Sequence, residues 1–239
     1  MRTYKIQYGD TFSKIVQKTG ISAYDLKNLN PQIKNINRIV IDQIVNLPDI
    51  ITSISVPNKE KDFDITVEQL CGIVPKLTPV RANQIIGALN LAMREFSIDT
   101  SVRKTAFLAQ IAHETGGFNW LCELGNNDYF KKYDGRKDLG NINPGDGARF
   151  KGRGFIQITG RTNYLNVGTF LKLDLLNNPN LAEDPGIAAR IAGWFWSSRK
   201  LNELADKDDI VGITRRINGG LNGLVERKEY WMRAKNILG

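Results

Sequence analysis

The chain has 239 residues, which is enough for one large domain and a small one. Hydrophobic residues make up 41% and charged residues 24%, values typical of a globular protein with its own core. The net charge of +8 is spread over both halves without basic runs, which favours an anionic polymer, either nucleic acid or an acidic cell envelope. No nucleic-acid motif accompanies this charge, so we predict no nucleic-acid partner.

The two cysteines and the N-terminal residues indicate the cellular compartment in which the chain is made. Cys71 and Cys122 lie among apolar residues, and we predict two free thiols rather than a disulfide. Residues 1–7 contain no apolar core of the length of a signal peptide, and no run approaches the ~18 apolar residues of a membrane span. We therefore expect synthesis in a reducing cytoplasm, no membrane insertion, and another factor that opens the way to any substrate outside the membrane.

Residues 1–50 are predicted to form a small unit with the order strand, helix, helix, strand. Residues 4–8 alternate in polarity as a strand does, and Gly9-Asp10-Thr11 forms a turn that can cap the next helix. A second helix ends at Asn30-Pro31, and residues 44–48 close the unit as a strand.

This unit resembles a LysM domain. The resemblance is carried by residues 4–12, by Asn30-Pro31-Gln32-Ile33 and by residues 42–48. It implies binding of glycans that contain N-acetylglucosamine, in a groove between two loops. The residues implicated are Gly9, Asp10, Thr11, Phe12, Asn30, Pro31 and Ile33. For Asp10 and Thr11 we expect a turn or capping role as well.

Residues 51–63 have the serine, proline and mixed charges of a linker, and the pattern is helical from residue 64 onward. Asp184-Pro185 predicts a capped helix start, and further helices are predicted over residues 204–217 and 224–238. We therefore expect a mainly α fold, in which residues 64–239 form a helical domain with a small β-sheet at its cleft.

Two glutamates nine positions apart, Glu114 and Glu123, flank a helix break at Gly116-Gly117. In an unbroken helix nine residues climb about 13.5 Å and turn half-way round, so the two side chains would point apart. The glycines let the chain turn back, because glycine adopts backbone angles that other residues avoid. A carboxylate pair within ~6.5–9.5 Å suits hydrolysis of a glycosidic bond with inversion. On spacing alone, two solvated surface glutamates are the favoured interpretation, and the downstream residues reverse that preference.

Residues 150–164 are the second informative stretch. Two isoleucines alternate with Gln157 and Thr159, so in a strand the amide and the hydroxyl would share the face opposite the isoleucines. Such a strand can line a polar cleft, and Gly152 and Gly154 would allow close approach of a ligand or another segment. The glycines do not form a dinucleotide fingerprint, because they precede a strand and the third glycine is missing.

The region from residue 64 resembles glycoside hydrolase family 19, the chitinase-like fold that phage endolysins also use. The match is carried by several motifs in the right order, namely residues 107–118, Glu123, residues 151–164 and residues 213–220.

This resemblance implies a role for each matched residue. Glu114 would protonate the leaving oxygen as general acid, Glu123 would activate a water as general base, and Thr159 would hold that water. Residues implied to contact sugar or to support the acid are Gln157, Asn163, Asn218 and Arg227.

Other residues have competing interpretations. His113 is the only histidine and has no partner at metal-binding spacing, so a structural hydrogen bond is favoured. The four tryptophans could stack on sugars, but Trp194 and Trp231 lie among apolar helix residues and are predicted as core. In residues 125–147, the spacing of Asp128, Asp134 and Asp146 matches no calcium loop, and we predict a flexible cleft lid there. We expect no metal and no cofactor.

The preferred interpretation is a monomeric cell-wall hydrolase of two modules, in which the first module holds peptidoglycan glycan strands and the second cleaves their β-1,4 bonds with inversion. The expected absence of an export signal is typical of a phage endolysin, stored in the host cytoplasm and released by a holin to act on the peptidoglycan layer. Chitin is the alternative substrate, and cell-wall remodelling by a bacterium is the alternative role.

Overall fold

The computed structural model describes residues 2–8, 10–19, 21, 26–27, 29–33, 38–47 and 63–239. The chain divides into two compact units, Met1–Phe63 and Asp64–Gly239, so the division falls at the end of the predicted linker. Residues 51–62 of that linker, Gly9, and most of the second predicted helix lie outside the described residues. In the described part of the chain, no helix combines the length and the apolar character that crossing a bilayer requires.

The first unit is built on two antiparallel strands. Strand β1 (Arg2–Lys5) pairs with β2 (Ile44–Leu47), and helix α1 (Phe12–Thr19) lies between them in the sequence. The Thr11 hydroxyl accepts a hydrogen bond from the Lys14 amide at 3.2 Å, which caps α1 as predicted. The apolar side chains of these elements form one small core, made of Ile6, Phe12, Ile15, Leu26, Ile33, Val45 and Leu47.

The second unit is helical, which confirms the predicted mainly α fold. Its helices are α2 (Val67–Ile73), α3 (Pro79–Glu95), α4 (Ser101–Glu114), α5 (Asn127–Phe130), α6 (Asp146–Arg149), α7 (Arg161–Leu171), α8 (Pro185–Ser198), α9 (Leu201–Ala205), α10 (Ile210–Asn218) and α11 (Leu224–Leu238). Short 3₁₀ turns cover Lys131–Tyr133, Lys137–Leu139 and Pro179–Glu183.

Local capping explains where several of these helices begin. Asp184 accepts hydrogen bonds from the amides of Gly186 and Ile187, and Pro185 takes the first helical position, as the sequence predicts for α8. The single helix predicted over residues 204–217 is wrong, because the chain breaks between α9 and α10. Asp208 has a left-handed backbone there, and the Asp209 carboxylate caps α10.

Helix α4 forms the centre of this unit. All of its residues from Lys104 to Ala112 are buried, and it packs most extensively against α11. The indole of Trp196 meets Phe107 edge-on at 5.3 Å between ring centroids and is fully buried. Trp196 is therefore a core residue rather than a sugar platform, whereas Trp194 and Trp231, predicted as core, are half-buried.

The predicted strand over residues 155–159 is wrong, because these residues form a turn. Arg153 bridges to Cys122 on one side and to Ile158 on the other, and residues 154–157 reverse the chain between the bridged positions. Gln157 has a left-handed backbone with φ of 50°, which breaks the strand alternation. The β structure of this unit therefore consists of these two isolated bridges in the described residues.

Candidate active site

Glu114 is the last residue of α4, and the chain turns back directly after it. Gly116, Gly117 and Phe118 all have positive φ angles, of 56°, 76° and 66°. The Thr115 hydroxyl donates to the Ile111 carbonyl at 2.6 Å and accepts from the Phe118 amide at 2.9 Å. The helix break that the two glycines predict is therefore a fixed turn, closed by a buried threonine and the buried Phe118 ring.

A buried arginine holds the Glu114 carboxylate. Arg227 on α11 donates from Nη2 to Glu114 Oε1 at 2.5 Å and from Nη1 to Gln110 Oε1 at 2.5 Å. The guanidinium is fully buried, whereas the Glu114 side chain stays 19% exposed. The arginine predicted near the acid thus contacts it directly, and the carboxylate stays partly exposed.

A second pair lies next to this one on the same two helices. His113 Nδ1 lies 2.5 Å from Glu226 Oε2, so two consecutive residues of α4 pair with two consecutive residues of α11. The imidazole packs on Gly223, where an added Cβ would lie 2.1 Å from His113 Cε1. His113 therefore has the structural hydrogen-bonding role that the sequence favoured. The described residues contain no cluster of three potential metal ligands.

Glu123 is held by a different set of donors. The Tyr133 hydroxyl donates to Oε1 at 3.0 Å, the Gly152 amide donates to Oε2 at 3.1 Å, and Lys132 Nζ lies 3.8 Å from Oε1. Burial, together with the hydrogen bond to Glu123, raises the pKa of Tyr133, which keeps the phenol protonated as a donor. A Cβ at Gly152 would lie 3.2 Å from Glu123 Oε2, so a glycine there allows the close approach of two segments.

The sequence did not identify Tyr133 or Lys132 as site residues. Both lie in a 3₁₀ turn of the segment predicted as a lid. Their spacing from Glu123 along the chain matches no helix or strand period, so the sequence offered no reason to expect a contact. Their aromatic and cationic character in a polar loop was the only available signal.

Three of the predicted site residues form one hydrogen-bonded chain beside this carboxylate. The Thr159 hydroxyl donates to the Gln157 carbonyl at 3.1 Å, and the Asn163 amide donates to the Thr159 carbonyl at 2.7 Å. The Gln157 side-chain amide donates to the Gly154 carbonyl at 2.9 Å, and its Oε1 lies against Gly152. All three side chains are half-buried, so they border the segment that holds Glu123 without being sealed from solvent.

Asn218 shapes a loop instead. Its side chain donates to the Asn222 carbonyl at 2.9 Å and accepts from the Gly220 amide at 2.8 Å. The same carbonyl accepts from Arg227 Nε at 3.4 Å. The exposed Asn218 therefore stabilises the turn that leads to Arg227, and its contact with sugar stays a prediction.

The glycan-contact residues predicted in the first unit divide into two groups. Phe12, Asn30 and Ile33 are buried, so their side chains help to hold the loops, and their contact with glycan stays a prediction. Asn30 donates to the carbonyls of Leu26 and Asn46, which ties the second loop to β2. Pro31 and Thr11 remain exposed.

Asp10 joins three parts of the first unit. Its carboxylate accepts from the Tyr4 hydroxyl at 2.6 Å, the Gln7 amide at 2.9 Å and Lys18 Nζ at 2.9 Å. The Tyr4 hydrogen bond, with those from Gln7 and Lys18, lowers the pKa of Asp10 to about 2. An open groove in this unit is lined by Gln32, Ile33, Arg38, Val40, Ile41, Asp42 and Gln43. Its exposed Val40 and Ile41 offer an apolar surface that the sequence analysis missed.

The segment predicted as a flexible lid is held by its own aspartates. The buried Asp146 accepts from Arg161 Nη2 at 2.6 Å and from the amides of Ile142 and Asn143 at 3.0 Å, and Arg161 lowers its pKa. Asp134 accepts from the Gly147 amide at 2.7 Å. These two carboxylates close turns within the segment, so calcium is not needed to explain them, and the role of the segment as a lid stays a prediction.

Trp120 lies between the two glutamates in sequence and is 54% exposed. Its amide donates to the Thr115 carbonyl at 3.1 Å, and its indole edge packs on Gly116. The ring is therefore placed on a fixed turn directly beyond the proposed acid, where a sugar face can stack on it.

Trp120→Ala is expected to raise KM for oligosaccharide about five- to tenfold, because the stacking of an aromatic ring contributes about 1 kcal/mol. Trp120→Phe should keep most of the affinity, since it keeps an aromatic face. Initial rates over a range of oligosaccharide concentrations measure the effect. An unchanged KM in Trp120→Ala would place the sugar elsewhere.

The sequence and the helical fold of the second unit are those of a glycoside hydrolase. Residues 92–218 match the glycoside hydrolase family 19 model, Chitinase class I, and residues 4–48 match the LysM domain model. The chain belongs to glycoside hydrolase family 19 and carries a LysM domain in front of the catalytic unit.

Individual relatives agree with this assignment. A glycosyl hydrolase family 19 domain-containing protein of Haemophilus influenzae is 31% identical over 180 residues, which cover 64% of this chain and 88% of that protein. Acidic endochitinase Q of Nicotiana tabacum is 32% identical over 154 residues, and the matched region covers 57% of that protein. Chitinase C of Streptomyces griseus has a similar structure, with a TM-score of 0.61 and 27% identity over 74% of this chain and 77% of its own.

Proposed function

We propose that this enzyme hydrolyses β-1,4 glycosidic bonds of bacterial peptidoglycan, with Glu114 as general acid and Glu123 as general base. The observation that carries the proposal is the unequal support of the two carboxylates. Glu114 has a buried arginine as its partner, whereas Glu123 accepts hydrogen bonds from a phenol and a backbone amide. Two carboxyl groups in different environments can take different roles in one reaction.

The chemical step would proceed with inversion. Glu114 gives its proton to the glycosidic oxygen as the bond from that oxygen to the anomeric carbon breaks. A water attacks the anomeric carbon from the opposite face and gives its proton to Glu123. Thr159, in the hydrogen-bonded chain beside Glu123, would hold this water, and Gln157 and Asn163 would contact the sugar. Proton exchange with solvent then restores both carboxyl groups.

Peptidoglycan is preferred over chitin because of charge. The chain carries a net charge of +8, which suits an acidic cell envelope better than a neutral polymer. The LysM domain supports a substrate that contains N-acetylglucosamine, a sugar common to both polymers. Chitin is the second candidate, because the plant relatives are named endochitinases.

One experiment tests substrate and stereochemistry together. Purified peptidoglycan and chitin hexamer are digested separately, the new reducing ends are identified by mass spectrometry, and proton NMR follows the first-formed anomer. We expect new amino-sugar reducing ends from peptidoglycan, with the α anomer formed first. Activity on chitin alone would replace the proposed substrate, and a β anomer formed first would refute Glu123 as general base.

We also propose a modular division of labour. The two units have separate cores, so residues 64–239 alone should keep activity on soluble oligosaccharide, while residues 1–50 alone should bind peptidoglycan without cutting it. Sedimentation with insoluble peptidoglycan measures binding, and release of reducing ends measures cleavage. Loss of activity on soluble substrate in a folded 64–239 fragment would contradict this division.

As the biological role we propose host cell lysis by a phage endolysin that a holin releases, with cell-wall remodelling in a bacterium as the alternative. The combination of a glycan-binding module and a wall-cleaving module supports either role. The protein is expressed in the bacterial cytoplasm, with and without permeabilisation of the membrane, and lysis is measured. This experiment distinguishes the two wall-cleaving roles from the role of a chitinase. We expect lysis only after permeabilisation, and no lysis in either case would oppose both roles.

A further inference from the structure

A buried asparagine joins the two segments that support the proposed attack of water. Asn141 is completely buried, and its side chain bonds the main chain of two other residues. Its amide donates to the Tyr133 carbonyl at 2.9 Å, and its oxygen accepts from the Arg161 amide at 2.9 Å. The Tyr133 hydroxyl bonds Glu123, and Arg161 lies two positions after Thr159. The Asn141 side chain therefore connects the support of the proposed base to the segment proposed to hold the water.

The local structure explains why a polar side chain lies at the start of α7. That helix begins at Arg161, and the residue before it, Gly160, has no side chain with which to cap the first amides. The first amides of a helix lack an acceptor within the helix and need a partner from elsewhere. Asn141 supplies that partner from another segment. An added Cβ at Gly160 would lie 2.6 Å from the Leu139 carbonyl oxygen, so the two segments are in close contact beside this bond.

Closure of its own loop does not explain the Asn141 side chain. The Asn141 backbone amide donates to the Arg136 carbonyl at 3.1 Å, and Asp146 accepts from the amides of Ile142 and Asn143 at 3.0 Å. These bonds close the turns before and after position 141 without the side chain of Asn141. That side chain instead reaches from the residue that holds the proposed base to the start of α7.

The proposed reaction depends on the relative position of the two supports. The attacking water has to meet Glu123 as its base and Thr159 as its hydrogen-bond partner at the same time. A displacement of about 1 Å in such an arrangement can lower a rate about 100-fold. A rigid connection between the two supports keeps the base and the hydroxyl in register.

We propose that Asn141 is a positioning residue of this enzyme, which holds the Tyr133 phenol on Glu123 and the Thr159 hydroxyl in one fixed arrangement. Because Asn141 is buried, it acts through these groups and not by contact with substrate. This inference rests on the proposed function, since the roles of Glu123 and Thr159 belong to it. The loss of Asn141 should therefore change kcat rather than KM.

The test is a double-mutant cycle on kcat with a matched control. Asn141→Ala, Tyr133→Phe and the double variant are compared with wild type on soluble glycan strands of peptidoglycan and on chitin hexamer. Asn90 on α3 provides the control, because this buried asparagine also bonds one backbone amide and one backbone carbonyl, both of Ile65, at 3.1 and 3.0 Å. Thermal unfolding shows which variants are folded, and Asn141→Ser replaces Asn141→Ala if alanine prevents folding.

Asn141→Ala and Tyr133→Phe should each lower kcat about tenfold with KM within about twofold of wild type, since they disturb the reacting groups and not the binding of sugar. The double variant should also lose about tenfold rather than about 100-fold, because the two changes act through one contact. Asn90→Ala should keep kcat within about twofold of wild type, and its combination with Tyr133→Phe should show only the loss of Tyr133→Phe.

An unchanged kcat in a folded Asn141 variant, or in Tyr133→Phe, would overturn the inference. Losses that multiply to about 100-fold in the double variant would also overturn it, because Asn141 would then act by another route. An equal loss of kcat in Asn90→Ala would do the same, since both losses would then come from a weakened fold. The proposed function itself fails on different results, namely a wild type that cleaves neither polymer or a Glu123→Gln variant that keeps the kcat of wild type.

Discussion

Glu114→Gln is expected to lower kcat/KM by about 10²–10⁴-fold, because an amide cannot give a proton to the leaving oxygen. The substitution conserves shape, and the amide oxygen can still accept the hydrogen bond that Arg227 Nη2 makes to Oε1. The variant should therefore fold and still bind glycan. Initial rates on soluble oligosaccharide measure the loss, and thermal unfolding shows that the fold is kept.

Two further variants calibrate this result. Glu229→Gln removes an exposed carboxylate of α11 that pairs with Arg233 at 3.8 Å, and it should leave the activity unchanged. Thr159→Ala should cause a smaller loss than Glu114→Gln, since it removes a hydrogen bond that positions water but no proton transfer. Substantial turnover by a folded Glu114→Gln variant would show that the proton comes from another group.

Arg227→Met is expected to destabilise the catalytic unit by about 3 kcal/mol or more, because it leaves the Glu114 carboxylate and the buried Gln110 amide without their partner. Both groups now bond the same guanidinium at 2.5 Å. Activity should fall as well, since nothing then holds the Glu114 carboxylate in place. Urea unfolding of the variant measures the stability, and rates below the transition measure the activity.

A surface pair provides the matched control. Arg94 pairs with Asp64 at 2.9 Å with both side chains partly exposed, so Arg94→Met should cost less than about 1 kcal/mol. Arg227→Lys should lie between the two, because one ammonium cannot repeat the forked geometry of the guanidinium. If Arg227→Met were no more destabilising than Arg94→Met, the arginine would not support the acid as described.

The adjacent pairs on α4 and α11 give a physical reason for the position of the acid. Glu114 with Arg227 and His113 with Glu226 connect residues that are 113 positions apart in the sequence. Because the two contacts are consecutive along both helices, a shift of α11 along α4 would break them together. The carboxylate that we propose as the general acid is therefore tied to the packing of the central helices.

The sequence by itself determined the features that depend on near neighbours. The cap at Asp184-Pro185, the helix break after Glu114 and the strand-turn-helix opening of the first unit depend on bonds between residues a few positions apart, so composition and spacing predict them. The motifs around Glu114 and Glu123 also indicated the family, because they place the two glutamates and their neighbouring residues at a recognisable spacing.

The tertiary structure alone decided which groups meet these glutamates. Tyr133, Lys132 and the Gly152 amide converge on Glu123 from two segments, and no periodicity along the chain encodes that meeting. Alternation predicted a strand at Gln157, but the bridges from Arg153 to Cys122 and to Ile158 fold the stretch into a turn in which Gln157 has a left-handed backbone. Burial and long-range hydrogen bonds override local pattern at such positions, because the free energy of a packed core and a satisfied carboxylate exceeds the preference of a few residues for one backbone conformation.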